Sequence, residues 1–265
     1  MPEATVALST ELALAATRGR VDDRGEYIVV ETPDEPGWTD GNYLALSRAP
    51  RAGELATWDA TFAQELGTHR ATSLRWDEPA AEPAAIAELR AAGFEVDTYE
   101  MMVADDVLAP PHALPMRALA AAVVPTTADL AWSVADRHDE PYRQFLKNRA
   151  RWQERLVTED RARFFGAFDG TTLVASLGVF FVGKIARYQD VQTAATHRRK
   201  GIAGALLALA ASEARGRGCD RFAILAQPGS DAGRVYTRVG FQTRERPTRA
   251  WRPPKSGRVS ARSPR

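Results

Sequence analysis

The stretch from Tyr188 to Phe241 constrains the fold of this chain more than any other part of its sequence. A strand-like segment leads into a basic, glycine-containing turn from Arg198 to Ala203, and a helix rich in small residues follows. The first amides of a helix have no partner within the helix, so a glycine and cations at this point suit a phosphate-bearing ligand. The order therefore predicts a phosphate-binding turn in an α/β fold.

Other phosphate-binding and catalytic patterns do not match. The chain has no G-x-x-x-x-G-K-[ST], no G-x-G-x-x-G after a strand and no G-x-S-x-G. Its four histidines show no metal-ligand spacing, and the single cysteine, Cys219, cannot form an internal disulfide. We therefore expect neither a metal site nor a serine nucleophile.

The composition is that of a globular protein without a strongly charged partner. The 265 residues are 45% hydrophobic and 26% charged, and the net charge is only +1. Nucleic-acid and membrane-surface proteins usually carry a basic face, so neither partner is expected. No apolar run reaches the ~18 residues of a membrane span, and Glu3 and Glu11 do not fit a signal peptide. These features predict a cytoplasmic monomer or homodimer.

Breaks in the sequence divide the chain into five parts. Pro110, Pro111 and Pro115 interrupt regular structure and indicate a linker. Gln242–Trp251 is predicted to be the last strand. The predicted parts are an N-terminal helical segment (1–20), a first domain (21–108), the linker (109–115), a second domain (116–251) and a disordered basic tail (252–265).

The second half resembles a known family. From about Ala118 to Trp251 the predicted order is hairpin, strand, basic turn, small-residue helix, strand and helix, as in the GCN5-related N-acetyltransferase (GNAT) family. The family's [Gln/Arg]-x-x-Gly-x-[Gly/Ala] signature is matched by Arg198, Gly201 and Ala203, and its later Tyr-x-x-x-Gly-Phe by Tyr236, Gly240 and Phe241. The resemblance implies a mixed, mostly antiparallel sheet flanked by helices.

The same resemblance implies acetyl-CoA as cosubstrate. Val191 and Thr193 would lie on the strand edge that pairs with the pantetheine arm, and Gly201 would allow close approach to the pyrophosphate. The residues expected to hold the cofactor are Val191, Thr193, Arg198, Arg199, Lys200, Gly201, Ile202, Ala203 and Gly204.

Two residues are the candidate catalytic groups. Tyr236 would give a proton to the departing CoA thiolate, as a phenol can, although packing at the helix edge is the alternative. Asp190 would act as a base through water, unless its carboxylate points away from the cleft. His138, Asp139, Glu140 and Glu154 fall in the helices that usually border the acceptor pocket in this family, although such residues are more often part of a solvated helix face. The family's frequent Asn is Gly229 here, and His197 is interpreted as a loop residue.

The first half repeats only the end of the second. A helix closes on Gly93-Phe94 as the later one closes on Gly240-Phe241, but no Arg-x-x-Gly-x-Ala precedes it. The resemblance therefore implies a degenerate GNAT-like first domain and a single cofactor site. The predicted function is transfer of an acetyl group to a small primary amine. A non-catalytic CoA-sensing or partner-binding module, or acetylation of a protein or peptide amine, stays open.

Overall fold

The computed structural model describes residues 5–77 and 80–254. The helices are α1 (Val6–Ala15), α2 (Leu55–Leu66), α3 (Pro83–Ala91), α4 (Thr127–Val134), α5 (Glu140–Thr158), α6 (Ile202–Gly216) and α7 (Asp231–Arg238). The strands are β1 (Arg20–Asp23), β2 (Tyr27–Glu31), β3 (Tyr43–Leu46), β4 (Thr72–Trp76), β5 (Glu95–Thr98), β6 (Glu100–Ala104), β7 (Met116–Ala118), β8 (Ala162–Asp169), β9 (Thr172–Val182), β10 (Ile185–Thr193), β11 (Arg221–Ala226), β12 (Gln242–Glu245) and β13 (Thr248–Arg252).

These elements form two compact units. One contains the described residues up to Met101 and those from Glu245 onward, and the other contains Met102–Arg244. Both are mixed α/β units with a mixed sheet, in agreement with the predicted fold class.

The first unit is built on a six-stranded sheet in the order β1-β2-β3-β4-β13-β5. The β3–β4 pair is parallel, and β13 is antiparallel to both of its neighbours. On one face α2 packs Trp58, Phe62 and Leu66, spaced four residues apart on one side of the helix, into the core. The N-terminal segment is helical as predicted, because Thr5 caps α1 and Glu245 accepts the amides of Val6 and Ala7.

The second unit is built on a seven-stranded sheet in the order β12-β6-β11-β10-β9-β8-β7. β8 and β9 form the long hairpin that the Asp169-Gly170 pair predicts, with Asp169 opposite Thr172. The small-residue helix α6 covers the sheet and buries its whole inner face, including Leu206, Leu207 and Ala210, in the main core cluster. Alanine and leucine are strong helix formers, so this segment combines propensity with close packing.

Two strands lie in places that the linear division of the sequence does not anticipate. In the first sheet β13 lies between β4 and β5, the two strands that α3 connects. In the second sheet β6 lies between β11 and β12, the two strands that α7 connects. The division consequently falls at 101/102 and 244/245 instead of within 109–115 and at 251. The predicted single strand Gln242–Trp251 is two strands, β12 and β13, in different sheets. Pro247 lies between them, and because proline has no backbone N–H it cannot donate the hydrogen bond that would continue a strand.

The predicted tail begins too early. Arg252 is the last residue of β13, pairs in register with Thr72 and bonds to Asp59 at 2.6 Å. The rest of the predicted tail, from residue 255, lies outside the described residues. None of the helices in the part of the chain that the structure describes is long and apolar enough to cross a membrane.

Candidate functional site

A gap opens in the second sheet between β10 and β11. The two strands pair in parallel at Ile185–Arg221, Ala186–Phe222 and Arg187–Ala223. β10 continues to Thr193 and β11 to Ala226, but no described residues pair the two strands beyond Arg187. The edge of β10 that carries Val191 and Thr193 therefore has no strand partner on this side, and an extended ligand could pair with its backbone.

The first turn of α6 presents backbone amides that have no acceptor among the described residues. The first backbone bond of the helix is donated by Ala205 to Gly201 at 3.1 Å, and no side chain caps the helix. The amides of Ile202, Ala203 and Gly204 precede that bond. Arg199 and Gly201 both have left-handed backbone, with φ of 61° and 77°. Successive amides in such a turn converge on a concave point, which is the backbone arrangement that binds phosphate.

The side chains of this turn divide into two groups. Arg198, Arg199 and Lys200 are exposed, and within the described residues none of them pairs with a carboxylate. Arg198 also donates to the carbonyl of Thr193 at 3.2 Å, which ties the turn to the end of β10. Ile202 is buried in the core. Of the predicted cofactor residues, the basic three can therefore offer charge, while Ile202 can offer only its backbone.

The glycines of the turn are required by the protein's own chain. A Cβ at Gly201 would lie 2.9 Å from the Pro111 carbonyl oxygen, and one at Gly204 would lie 2.9 Å from Pro110 Cγ. The sequence-based explanation of Gly201 was close approach to a ligand. The structure supplies a different reason, because the 110–111 segment already occupies the space that a side chain would need.

Tyr236 lies on α7 and is only 5% exposed. Its ring packs against Phe241, with the ring centroids 6.2 Å apart. Burial raises the pKa of Tyr236 to about 12, and the positive charge of Arg187 partly offsets this effect. The phenol is therefore protonated at neutral pH, as a proton donor must be. Its catalytic role stays a prediction.

Asp190 lies at an irregularity in β10 and points to α5. Its backbone is left-handed, with φ of 54°. One carboxylate oxygen accepts from Gln153 Nε2 at 2.6 Å, and the other lies 2.9 Å from Arg149 Nη1. Each oxygen thus already has a partner, so these contacts indicate an anchoring role. The predicted role as a base is not tested by them.

The other polar candidates hold local structure together. Asp139 caps α5 by accepting the Tyr142 amide at 2.9 Å, and hydrogen bonds from Arg137 and then from this amide lower the pKa of Asp139. His138 Nε2 lies 3.1 Å from the Trp132 carbonyl oxygen. His197 Nε2 lies 3.2 Å from Asp169 on the hairpin. These contacts agree with the interpretation of His197 as a loop residue.

Comparison with known proteins decides the family. The sequence model of the acetyltransferase (GNAT) family matches residues 126–241. This part of the chain is a GNAT domain. A comparison with curated proteins found no match.

Solved structures support the fold of the whole chain. A GCN5-related N-acetyltransferase from Kribbella flavida has a TM-score of 0.66 at 17% identity, covering 96% of this chain and 97% of its own. A functionally unknown conserved protein from Staphylococcus epidermidis has a TM-score of 0.70 at 12% identity, covering 89% and 94%. A tandem GNAT protein from the clavulanic acid biosynthesis pathway has a TM-score of 0.55 at 13% identity, covering 88% and 79%. At such identities the likeness shows the fold alone, here with two GNAT-like units.

The first unit has the same helix-start position, but carboxylates already bond to the turn before it. There α2 follows β3, which pairs in parallel with β4, as α6 follows β10 in the GNAT domain. The Gly53 amide donates to Glu88 at 2.6 Å, and the Arg51 amide donates to Glu54 at 2.9 Å. Hydrogen bonds from Arg48 and then Arg51 lower the pKa of Glu54 to about 2, so its carboxylate is charged at neutral pH. Two acids therefore bond to this turn, and the negative charge of Glu54 would repel a phosphate.

Sequence reasoning missed three residues of the GNAT domain. Arg149 and Gln153 lie one turn apart on α5 and reach Asp190, and Arg187 is buried near Tyr236. The available signal was a glutamine on the apolar face of α5, in line with Tyr142 and Leu146. Within the described residues, no group of three His, Cys, Asp or Glu side chains lies close enough together to hold a metal ion.

Proposed function

We propose that the GNAT domain is an acetyl-CoA-dependent N-acetyltransferase whose acceptor is the primary amine of a small molecule. The observation that carries this proposal is the opening between β10 and β11 beside the unbonded amides that start α6. An exposed strand edge fits the extended pantetheine arm, and converging amides with three exposed cations fit its pyrophosphate.

The residues of the site have complementary tasks in this reaction. Acetyl-CoA, when bound, supplies an activated acetyl group, and transfer to the amine forms an N–C bond as the C–S bond breaks. Backbone amides near Val191 would orient the acetyl carbonyl and stabilise the negative charge that develops on its oxygen. Tyr236 would give its proton to the sulfur, which takes the electron pair of the broken bond. The amine would release its proton to solvent, and the tyrosinate would take a proton back from solvent.

Thermal unfolding with and without ligand tests the cofactor. Acetyl-CoA and CoA should each raise Tm, since a ligand at a hundredfold excess over its Kd stabilises the folded state by about 2.7 kcal/mol. ATP is the matched control, because it carries phosphates and adenine but no pantetheine. Equal shifts with ATP and CoA would indicate a simple anion site, and no shift with millimolar CoA would exclude the proposed cofactor.

Release of free CoA thiol during a screen of amines tests the reaction. Turnover with small primary amines supports the proposal. Turnover only with peptide amines would mean that the acceptor is a protein or peptide and not a small molecule. CoA binding without turnover of either kind of amine would identify a non-catalytic CoA-binding module. Running the screen with acetyl and longer acyl thioesters identifies the transferred group.

A further inference from the structure

The irregularity in β10 is a β-bulge centred on two residues. Gln189 lies opposite Gly178 and Gln192 opposite Ser176, so Asp190 and Val191 together face a single residue of β9. Asp190 takes up the extra length with a left-handed φ of 54°. Such a backbone costs energy for a residue with a Cβ, less for Asp than for most, and bonds from neighbouring groups can offset that cost.

The groups that hold it come from α5. Gln153 donates to one carboxylate oxygen of Asp190 at 2.6 Å, and Arg149 lies 2.9 Å from the other. Gln153 is only 2% exposed, and the Arg149 and Asp190 side chains are 16% and 19% exposed. Bonds to a carboxylate in such a shielded place are strong and directional. The side chain of Asp190 is thus fixed at two points.

The bulge lies where the acetyl group is expected. The pairing of β10 with β11 has ended by Arg187, so the bulge falls on the strand edge that borders the gap. A bulge turns the peptide groups next to it, and the backbone angles of Asp190 set the direction of the Val191 amide. Whatever holds Asp190 therefore also directs this amide.

We propose that Gln153 and Arg149 are positioning residues: by fixing the Asp190 carboxylate they hold the β10 bulge in the shape that directs the Val191 amide at the bound acetyl carbonyl. This inference rests on the proposed acetyl transfer. It accounts for the burial of a glutamine in the apolar face of α5, which a solvent-linked base at Asp190 would not require.

Two substitutions separate positioning from base catalysis. Gln153→Met keeps the side-chain volume but removes the hydrogen-bond donor to Asp190. It should lower kcat about 10- to 100-fold, because a misdirected Val191 amide no longer stabilises the reacting carbonyl. The Kd for CoA should change less than about threefold, because the rest of the cofactor site is unaffected. Asp190→Asn removes the base but keeps an oxygen that can accept the Gln153 bond, and asparagine tolerates a left-handed φ. It should therefore lower kcat less than Gln153→Met does, whereas the loss of a catalytic base should lower kcat more.

Gln144→Met is the matched control, because Gln144 is exposed on the same helix and its side chain donates to Asn148, far in sequence from the bulge. It should leave kcat unchanged. If Gln153→Met does not fold, Gln153→Asn, which is one methylene shorter, replaces it. A loss of kcat in Asp190→Asn larger than that in Gln153→Met would overturn the inference, because the carboxylate itself would then be the catalytic base.

A crystal structure of Gln153→Met gives a readout independent of activity. The pairing of residues 189–192 with β9 should change, or φ of Asp190 should leave the left-handed region. An unchanged bulge would refute the positioning role even if turnover fell. If the wild-type protein neither binds CoA nor releases CoA from acetyl-CoA, the proposed function is wrong. The bulge geometry in the crystal structure would still decide whether Gln153 holds the strand.

Discussion

The guanidinium of Arg249 lies 3.1 Å from the carboxylate of Asp97, although 152 residues separate them in sequence. Arg249 lies on β13 and also bonds to Asp40, which in turn bonds to Arg75 on β4. The last described strand, β13, is thus held in the first unit by partly buried ion pairs as well as by its backbone.

Arg249→Met should destabilise the first unit by about 1–3 kcal/mol, between the values for exposed and buried pairs, since both carboxylates are partly exposed and Asp40 keeps its bond to Arg75. Urea unfolding measures the change. Arg246→Met is the control, because Arg246 is largely exposed and its pair with Glu100 should contribute less than about 1 kcal/mol. Equal effects of the two substitutions would contradict a structural role for the buried network.

Tyr236→Phe should lower kcat about 100-fold or more, the usual contribution of a positioned acid, with little change in the Kd for CoA. Tyr188→Phe is a matched control, since Tyr188 is also buried and its hydroxyl donates to the Leu207 carbonyl at 2.9 Å. That control should cost about 1 kcal/mol of stability without slowing turnover. Unchanged kcat in Tyr236→Phe would remove the residue from the mechanism.

The raised pKa of Tyr236 also predicts a pH dependence. Because the folded-state pKa is about 12, against an ordinary value of 10.0, burial favours the protonated phenol. Its contribution to turnover should persist to at least about pH 10 and be lost only as the pH approaches 12. The pH–rate profiles of the wild-type protein and of Tyr236→Phe test this assignment. A decrease of kcat with rising pH that begins below pH 9 in the wild type and is absent in Tyr236→Phe would contradict it.

One molecule of CoA should bind per chain. In the turn before α2 the carboxylates of Glu54 and Glu88 accept the Arg51 and Gly53 amides, whereas no carboxylate among the described residues pairs with the three cations before α6. Calorimetry should give a stoichiometry of one, and Arg199→Glu with Lys200→Glu should weaken binding at least about tenfold, a change of about 1.4 kcal/mol. Arg51→Glu, on the corresponding turn of the first unit, should have no effect. A stoichiometry of two would show that the first unit also binds.

Gly201→Ala should destabilise the GNAT domain more than Gly218→Ala does. Both glycines have positive φ, at 77° and 86°, so both substitutions carry a backbone penalty of about 1–2 kcal/mol. Only at Gly201 would the new Cβ meet the Pro111 carbonyl oxygen, at 2.9 Å, while nothing lies within 4 Å at Gly218. Overpacking should add about 1 kcal/mol or more, measurable as a lower urea midpoint. Equal losses would mean that the 110–111 segment moves away.

Local patterns were enough to predict the GNAT domain. The basic turn before α6, the Asp169-Gly170 hairpin and the Tyr236-to-Phe241 helix end each depend on residues close together in the chain, so their chemistry is readable in order. The family match to residues 126–241 confirms the resemblance that these patterns suggested.

Contacts between distant residues could not be read in the same way. Gln153 and Asp190 are 37 residues apart, and only the packing of α5 against the sheet brings them within hydrogen-bond distance. The sequence by itself determined the elements, the basic turn and the family, because backbone propensity and short spacings act locally. The tertiary structure alone decided that β13 joins the first sheet, that Pro111 explains Gly201, and that Asp190 is anchored by α5. Strand pairing and buried ion pairs depend on which surfaces meet once the whole chain has packed.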